Sequence, residues 1–221
     1  VPKTLTEALE HRNVAKVLEM ARKEREKNTR AALFGARWVT KNTFSKYAPD
    51  GYILIGEIYE DMKSYNLAYM AYHEMVSRWP EHVQRQEIME RQLRIAGKVT
   101  KLYLVDKNLS DITFLKSLTK LETLDLLDNQ INDVSVLAKL TQLKSLNLHN
   151  NHLTDVSTLA ELKQLTGLNL GKNQITDVSA LVKLRKLEVL YLRNNSNLTK
   201  VEIDKLQKAL PKCEINSNPK K

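Results

Sequence analysis

LETLDLLDNQINDVSVLAKLTQ, residues Leu121–Gln142, is followed by LKSLNLHNNHLTDVSTLAELKQ, Leu143–Gln164, and LTGLNLGKNQITDVSALVKLRK, Leu165–Lys186. VTKLYLVDKNLSDITFLKSLTK, Val99–Lys120, precedes them. The blocks are 22 residues each and abut without a gap, so Leu124, Leu146, Leu168 and Leu190 stay in phase. A fixed period with leucines in register specifies a solenoid, because no single block can bury its apolar face alone. A fifth, irregular block starts at Leu187 and closes at LPKCEI, Leu210–Ile215.

Within Leu121–Gln142, the spacing sends Leu121, Leu124 and Leu126 inward from a short strand. Ile131, Val134, Leu137 and Leu140 fill the core from the turn and the outer side. Consecutive coils then stack as parallel strands on a concave face. Asn129, Asn151, Asn173 and Asn195 recur where the chain leaves the strand. An amide there can serve a backbone donor and an acceptor that would otherwise be unpaired, which predicts a structural ladder. Asp133, Asp155 and Asp177, with Ser135, Ser157 and Ser179, fall where outer turns begin and are expected to cap them. A calcium role is the weaker reading, since each aspartate is one whole coil from the next.

These blocks resemble leucine-rich repeats, with the pattern LxxLxLxxNxLxDVSxLxxLxx, of the 22-residue class found in bacterial internalins. Two departures stand out. Lys107 replaces the repeating asparagine, and the last block gains a residue around Ser196–Leu198 and loses the DVS sequence. The resemblance implies a non-catalytic protein-binding scaffold.

The variable strand positions point away from the core. Asp106, Asp125 and Asp128 lie toward the first coil, amides occupy the middle, and Lys172 and Arg193 lie toward the last. This is a polar face with a charge gradient, suited to a protein or peptide; the bland alternative is a merely solvated surface. The candidate contact residues are Tyr103, Asp125, Asp128, His149, Lys172, Tyr191 and Arg193.

Upstream, the pattern is helical. Thr4 with Glu7 fits a capping box opening a helix to about Asn28, and a second helix is expected over Thr29–Lys41 with Ala32, Phe34, Gly35 and Trp38 packing. Pro49 sets the next entry. Tyr52, Ile55, Gly56, Tyr59, Ala68, Tyr72, Met75 and Pro80 match the spacing of a tetratricopeptide repeat, with Met75 where that family prefers alanine. Gly56 and Ala68 let two antiparallel helices approach closely. The wording YAPDGYILIGEIYEDMKSYNLAYMAYHEMVSRWPE resembles helical-repeat proteins of bacterial envelopes, such as the outer-membrane assembly lipoprotein and the Tol-associated periplasmic factor. Phe34 and Trp38 fall 34 residues before Ala68 and Tyr72, so a degenerate earlier repeat is expected, lacking the small residue near Arg22. Glu81–Ile95 forms one more helix, with a seam at Val83, Glu87–Ile88 and Gln92–Ile95, before Gly97 ends it. With almost no linker, that helix is expected to cover the open end of the first coil; the helices then act as a cap, a binding module, or both. Near the other end, VEIDKLQKAL, Val201–Leu210, reads as an amphipathic helix with core residues Val201, Ile203, Leu206 and Leu210, followed by an edge at Cys213–Ile215.

Composition narrows the function. The formal charge is +9, with 16 Lys/Arg against 13 Asp/Glu up to Ala96 and 19 against 13 beyond, so the excess is spread and is no nucleic-acid footprint. RKEREK, Arg22–Lys27, has no interleaved aromatic platform. Cys213 is the only cysteine, which excludes an internal disulfide and a Cys-based metal site. No run of about 18 apolar residues exists, so no direct membrane insertion is expected. No signal peptide is visible, and the chain begins at Val1 rather than Met, which leaves room for a processed leader. His149 and His152 lie near Asp125 and Asp128 on adjacent coils, but no nucleophile or metal triad joins them. No catalytic residue, cofactor or metal is implied.

The expected architecture is an α+β solenoid: antiparallel tetratricopeptide-like hairpins over 1–96, continuous with a leucine-rich repeat arc and its C-terminal cap over 97–221. The expected function is a scaffold holding an unknown protein or peptide on the concave face. The alternative is an envelope assembly or adaptor protein docking through its helices. The resemblance favours the bacterial envelope, periplasm or surface, with the cytoplasm open; the oligomeric state is not legible.

Overall fold

The structure is a computed structural model that describes residues 4–10, 13–41 and 45–218. It contains two compact units, Val1–Lys98 and Val99–Lys221.

The first unit is helical: α1 Leu5–Glu10, α2 Val14–Glu24, α3 Thr29–Lys41, α4 Ala48–Asp61, α5 Tyr65–Arg78 and α6 Arg85–Ala96. Two helices stand where one was expected up to Asn28. Asn13 divides them because its side chain accepts a hydrogen bond from the Lys16 backbone N–H at 3.0 Å, capping α2. The side chain of Glu7, half of the expected capping box, lies outside the described residues.

Short connections make successive helices antiparallel, and each packs on its neighbour in sequence. In the α4–α5 hairpin, Gly56 lies directly against the ring of Tyr72, which is fully buried. The Tyr72 hydroxyl donates to Glu60 at 2.6 Å. Burial, and then that carboxylate, push the phenol far above its ordinary pKa. Lys63 makes the turn with φ 55°.

The α2–α3 hairpin reaches the same packing differently. Val17, Leu18, Met20 and Ala21 are buried on α2, and of the positions 34 residues later on α4, Gly51, Leu54 and Ile55 are buried and Tyr52 is half-buried. On the second helices the offset is 36: Ala32, Gly35, Ala36 and Val39 correspond to Ala68, Ala71, Tyr72 and Met75, all buried. The first hairpin is thus two residues shorter between helix starts. Its small residue is Gly35, where an added Cβ would sit 3.0 Å from that of Ala21. Arg22, at the place of Gly56, turns outward to Asp50 at 3.1 Å. The two-residue shift corrects the expected packing role of Phe34, which is 61% exposed. Val83 is likewise 93% exposed, because α6 starts only at Arg85 and buries Ile88, Ile95 and Ala96.

One carboxylate ties three helices. Glu57 on α4 accepts from Arg25, at the end of α2, and from Arg91 on α6, both at 2.6 Å, while Arg25 also reaches Asp61 at 2.7 Å.

The second unit carries six parallel strands in sequence order: β1 Lys101–Tyr103, β2 Thr123–Asp125, β3 Ser145–Asn147, β4 Gly167–Asn169, β5 Val189–Tyr191 and β6 Glu214–Asn216. Across β1–β5 every residue pairs with the one 22 positions on, so Leu102, Leu124, Leu146, Leu168 and Leu190 form one buried row. Each of the first four coils returns through a 3-10 turn: Thr113–Ser117, Ser135–Lys139, Ser157–Glu161 and Ser179–Lys183. Burying a leucine side chain contributes about 1.5–3 kcal/mol, and five such layers recur here.

The asparagine ladder closes the polar balance. Asn151 accepts from the Ile131 backbone N–H at 3.0 Å and donates to the carbonyls of Leu126, Leu148 and His149 at 3.0, 3.2 and 3.3 Å. Asn129, Asn173 and Asn195 repeat the pattern one coil apart, and all four are at least 93% buried. Lys107, where the first coil lacks an asparagine, donates its own backbone N–H to Asn129 at 3.1 Å. Among the described residues, no buried side-chain nitrogen or oxygen lacks a partner.

The outer aspartates cap as expected. Asp133, Asp155 and Asp177 accept from the backbone N–H of Ser135, Ser157 and Ser179 at 2.7–2.8 Å. The backbone bond first, and the serine hydroxyl second, hold the Asp155 and Asp177 carboxyls below the ordinary range. A pKa lowered by folding stabilises the fold above the unfolded value and is lost as pH falls through the folded one. The repeat unit's urea midpoint is therefore expected to drop between about pH 5 and pH 2. An Asp155→Asn/Asp177→Asn variant, which keeps the caps but cannot titrate, should show a shallower fall.

The last coil is closed by α7, Lys200–Ala209, whose capping box pairs Thr199 with Glu202. Leu206, Leu210 and Cys213 are buried. Val201, expected in the core, is 61% exposed, since it sits in the first turn on the side away from the Leu206 stripe.

Candidate protein-binding face

The register sorts the outward residues into rows. Lys101, Thr123, Ser145, Gly167 and Val189 form one, and Tyr103, Asp125, Asn147, Asn169 and Tyr191 the next. The ladder of backbone hydrogen bonds runs on past the strands, from Asp106 N–H to Leu127, Asp128 to His149, Asn150 to Gly171, and Lys172 to Arg193. Two further rows follow at the same spacing: Val105, Leu127, His149, Gly171, Arg193, and Asp106, Asp128, Asn150, Lys172, Asn194. Every member of the last row has φ between 53° and 62°, a left-handed turn that asparagine and aspartate tolerate better than most residues.

The structure brings the seven candidate residues onto these rows. Tyr103, 57% exposed, and Tyr191, 42% exposed, stand four strands apart in the same row, which runs on to Asn216 of β6, with Asp125 between the two tyrosines. His149 and Arg193 share the next row, and Asp128 and Lys172 the outermost. Two of the acids are already engaged. Asp125 accepts from the Leu127 backbone N–H and from the Asn147 amide, both at 3.0 Å, and Asp128 accepts from the Asn150 amide at 2.6 Å. Asn147 and Asn169 likewise accept from the backbone of His149 and Gly171 at 3.1 Å. These bonds hold the middle of the face rigid and polar.

Gly171 is the residue that spacing did not single out. An added Cβ there would lie 2.8 Å from the His149 ring nitrogen and 3.3 Å from the Arg193 carbonyl oxygen. Its absence leaves room for the half-buried His149 ring. Lone histidine apart, no group of three or more His, Cys, Asp or Glu among the described residues could hold a metal ion. Cys213 is buried, and that burial raises its thiol pKa. No helix among the described residues is long and apolar enough to cross a membrane.

A family model described as leucine-rich repeats, two copies, matches residues 98–139, 127–161 and 163–208. The second unit is a leucine-rich repeat solenoid. Among solved structures, it is similar to the internalin InlF of Listeria monocytogenes, with 31% identity and a TM-score of 0.54, covering 58% of this chain and 38% of that one. Internalin C2 of the same organism gives 31% identity and a TM-score of 0.50, covering 55% of each chain. This chain thus spans about half or less of the internalins it matches. No curated protein sequence matches it. The leucine-rich repeat unit therefore has an internalin-like fold. The family model does not reach the helices before Lys98.

Proposed function

We propose that this chain is a protein-binding scaffold whose partner, a polar protein or peptide, lies across the strand face of the leucine-rich repeats. The observation that carries this reading is the stretch of one row from Tyr103 to Tyr191. Two exposed aromatic rings, four strand spacings or about 19 Å apart, flank a polar floor whose side chains are fixed by their own hydrogen bonds. Rigid contacts lose little entropy on binding, so two aromatic anchors suffice as a centre. Asp125 and Asp128 offer acceptors toward the first coil. Lys172 and Arg193 offer donors toward the last, and His149 lies between.

In this reading residues 1–96 and 97–221 are separate functional domains, the first a tetratricopeptide-like module. The Tyr47–Pro80 wording and the Gly56–Tyr72 contact support that assignment. They also support a second reading, in which the helices dock the protein to a bacterial envelope assembly. A lipidated cysteine ahead of Val1 and recovery in the membrane fraction would favour it.

Capture of the partner from the native cell, followed by titration, tests the first reading. A Tyr103→Ser/Asp128→Asn/Tyr191→Ser variant is expected to weaken binding about a hundredfold with an unchanged melting temperature. Asparagine is the substitution of choice at 128 because it tolerates the left-handed backbone. Unchanged affinity in this variant, with loss on altering the helical surface, would overturn the assignment.

A further inference from the structure

The helical unit carries an apolar cleft that its own packing leaves open. It is lined by Thr29, Arg30, Leu33, Phe34 and Arg37 on α3 and by Met62 after α4, with a volume of roughly 290 Å³. Phe34 is 61% and Met62 53% exposed, and Leu33 is half-buried. Residues 30, 33, 34 and 37 form a single helical stripe opposite the buried face of Ala32, Gly35, Ala36 and Val39.

The charge on this stripe is one-sided. Arg22, Arg25, Arg78 and Arg91 of the same unit are each ion-paired to a carboxylate. Arg30 and Arg37, like Arg85 and Arg94 on α6, are not, among the described residues; Arg37 donates only to the Tyr59 hydroxyl, and both Arg30 and Arg37 are exposed. The nearest acid in sequence to Met62, Asp61, is held by Arg25 at 2.7 Å. Two cations without counter-charges therefore bracket an apolar surface large enough to receive one bulky side chain.

We propose that this stripe docks an acidic amphipathic helix of another protein. Arg30 and Arg37 are seven residues apart, about 10.5 Å along α3. A partner helix lying along the stripe presents carboxylates at the same i, i+7 interval. Its apolar residues at i+3 and i+4 fall between them, over Phe34, Leu33 and Met62. The pairing is complementary in both charge and pattern, and it is independent of the strand face.

The test uses the full chain and a labelled synthetic helix of about 15 residues, with Glu at i and i+7 and Leu at i+3 and i+4, read by fluorescence anisotropy. Two control peptides replace Glu with Lys, or Leu with Ser. The Glu/Leu peptide is expected to bind saturably and both controls about tenfold or more weaker. Arg30→Glu and Phe34→Ser should each lower the affinity about tenfold without changing the melting temperature, since neither side chain supports the fold. Arg37→Glu is the less clean variant, because it also removes the bond to Tyr59. No binding of the Glu/Leu peptide overturns the proposal. So does equal binding of the Lys peptide, or affinity insensitive to Phe34→Ser. Retention on anionic vesicles without peptide binding would assign the stripe to a membrane surface, and self-association abolished by Phe34→Ser would assign it to a second copy; either result overturns the proposal. Loss of peptide binding in the Tyr103/Tyr191 variant alone would move the site to the strand face.

Discussion

Gly56→Ala is expected to destabilise the helical unit by about 3 kcal/mol, although alanine in a helix ordinarily gains about 1 kcal/mol over glycine. The added Cβ would sit 2.1 Å from Cε1 of Tyr72, 2.5 Å from Cδ1 and 2.7 Å from Cζ. The ring cannot swing aside, because it is fully buried and its hydroxyl is bonded to Glu60. Either α4 and α5 move apart or the tyrosine leaves its site. The first is overpacking at the severe end of its usual 1–3 kcal/mol range. The second forfeits a charge-assisted hydrogen bond of about 1.5–3 kcal/mol as well as buried area. Both tryptophans of the chain, Trp38 and Trp79, lie in the helical unit, so their fluorescence in a urea titration follows this unit. Adding Tyr72→Ala to Gly56→Ala should abolish the clash, making the double variant much more stable than the summed single effects. An additive result would mean that the two residues are not in conflict.

Asn151→Ala is expected to cost roughly 2–4 kcal/mol in the repeat unit. The substitution removes four hydrogen bonds, and the Ile131 N–H, buried between coils, loses its partner outright. An unpaired buried backbone group costs about 1–3 kcal/mol by itself, and carbonyl oxygens lose further bonds. Circular dichroism at the sheet wavelengths gives the stability change. Hydrogen exchange at Ile131 should accelerate ahead of the leucine amides of distant coils, because a solenoid loosens locally. A denaturation midpoint equal to that of the unaltered chain would remove the ladder from the list of stabilising features.

The repeat unit was legible because its period does the work of a structure. A spacing of 22 tells which residues stack, so the burial of Asn129 through Asn195 and the alignment of Tyr103 with Tyr191, 88 positions apart, follow from counting. What counting misses is lateral bonding. That Asp125 is bound by Asn147, or that Gly171 makes room for His149, depends on side-chain direction rather than period. The helices were harder, since an amphipathic stripe predicts a buried face only when the register between helices is known. The 34-residue spacing carried from Tyr72 back to Trp38 misplaced Phe34, because the second helices repeat at 36. Hydrophobicity alone does not place Val83 or Val201 in a seam: Val83 precedes the start of α6, and Val201 lies on α7 away from the face that helix buries.

The identical pairing of the regular coils has an evolutionary corollary. Ile131 N–H meets Asn151, and Leu153 N–H meets Asn173, through the same atoms at the same 3.0 Å distance. Excising Leu143–Gln164 would bring Leu121–Gln142 against Leu165–Lys186 with Asn173 facing Ile131 and no joint left unmatched. The block is thus an interchangeable cassette, and unequal recombination between neighbouring copies can lengthen or shorten the face by one strand, about 4.8 Å, at a time. The span between Tyr103 and Tyr191 is a quantity that such events can tune in steps without redesigning either end.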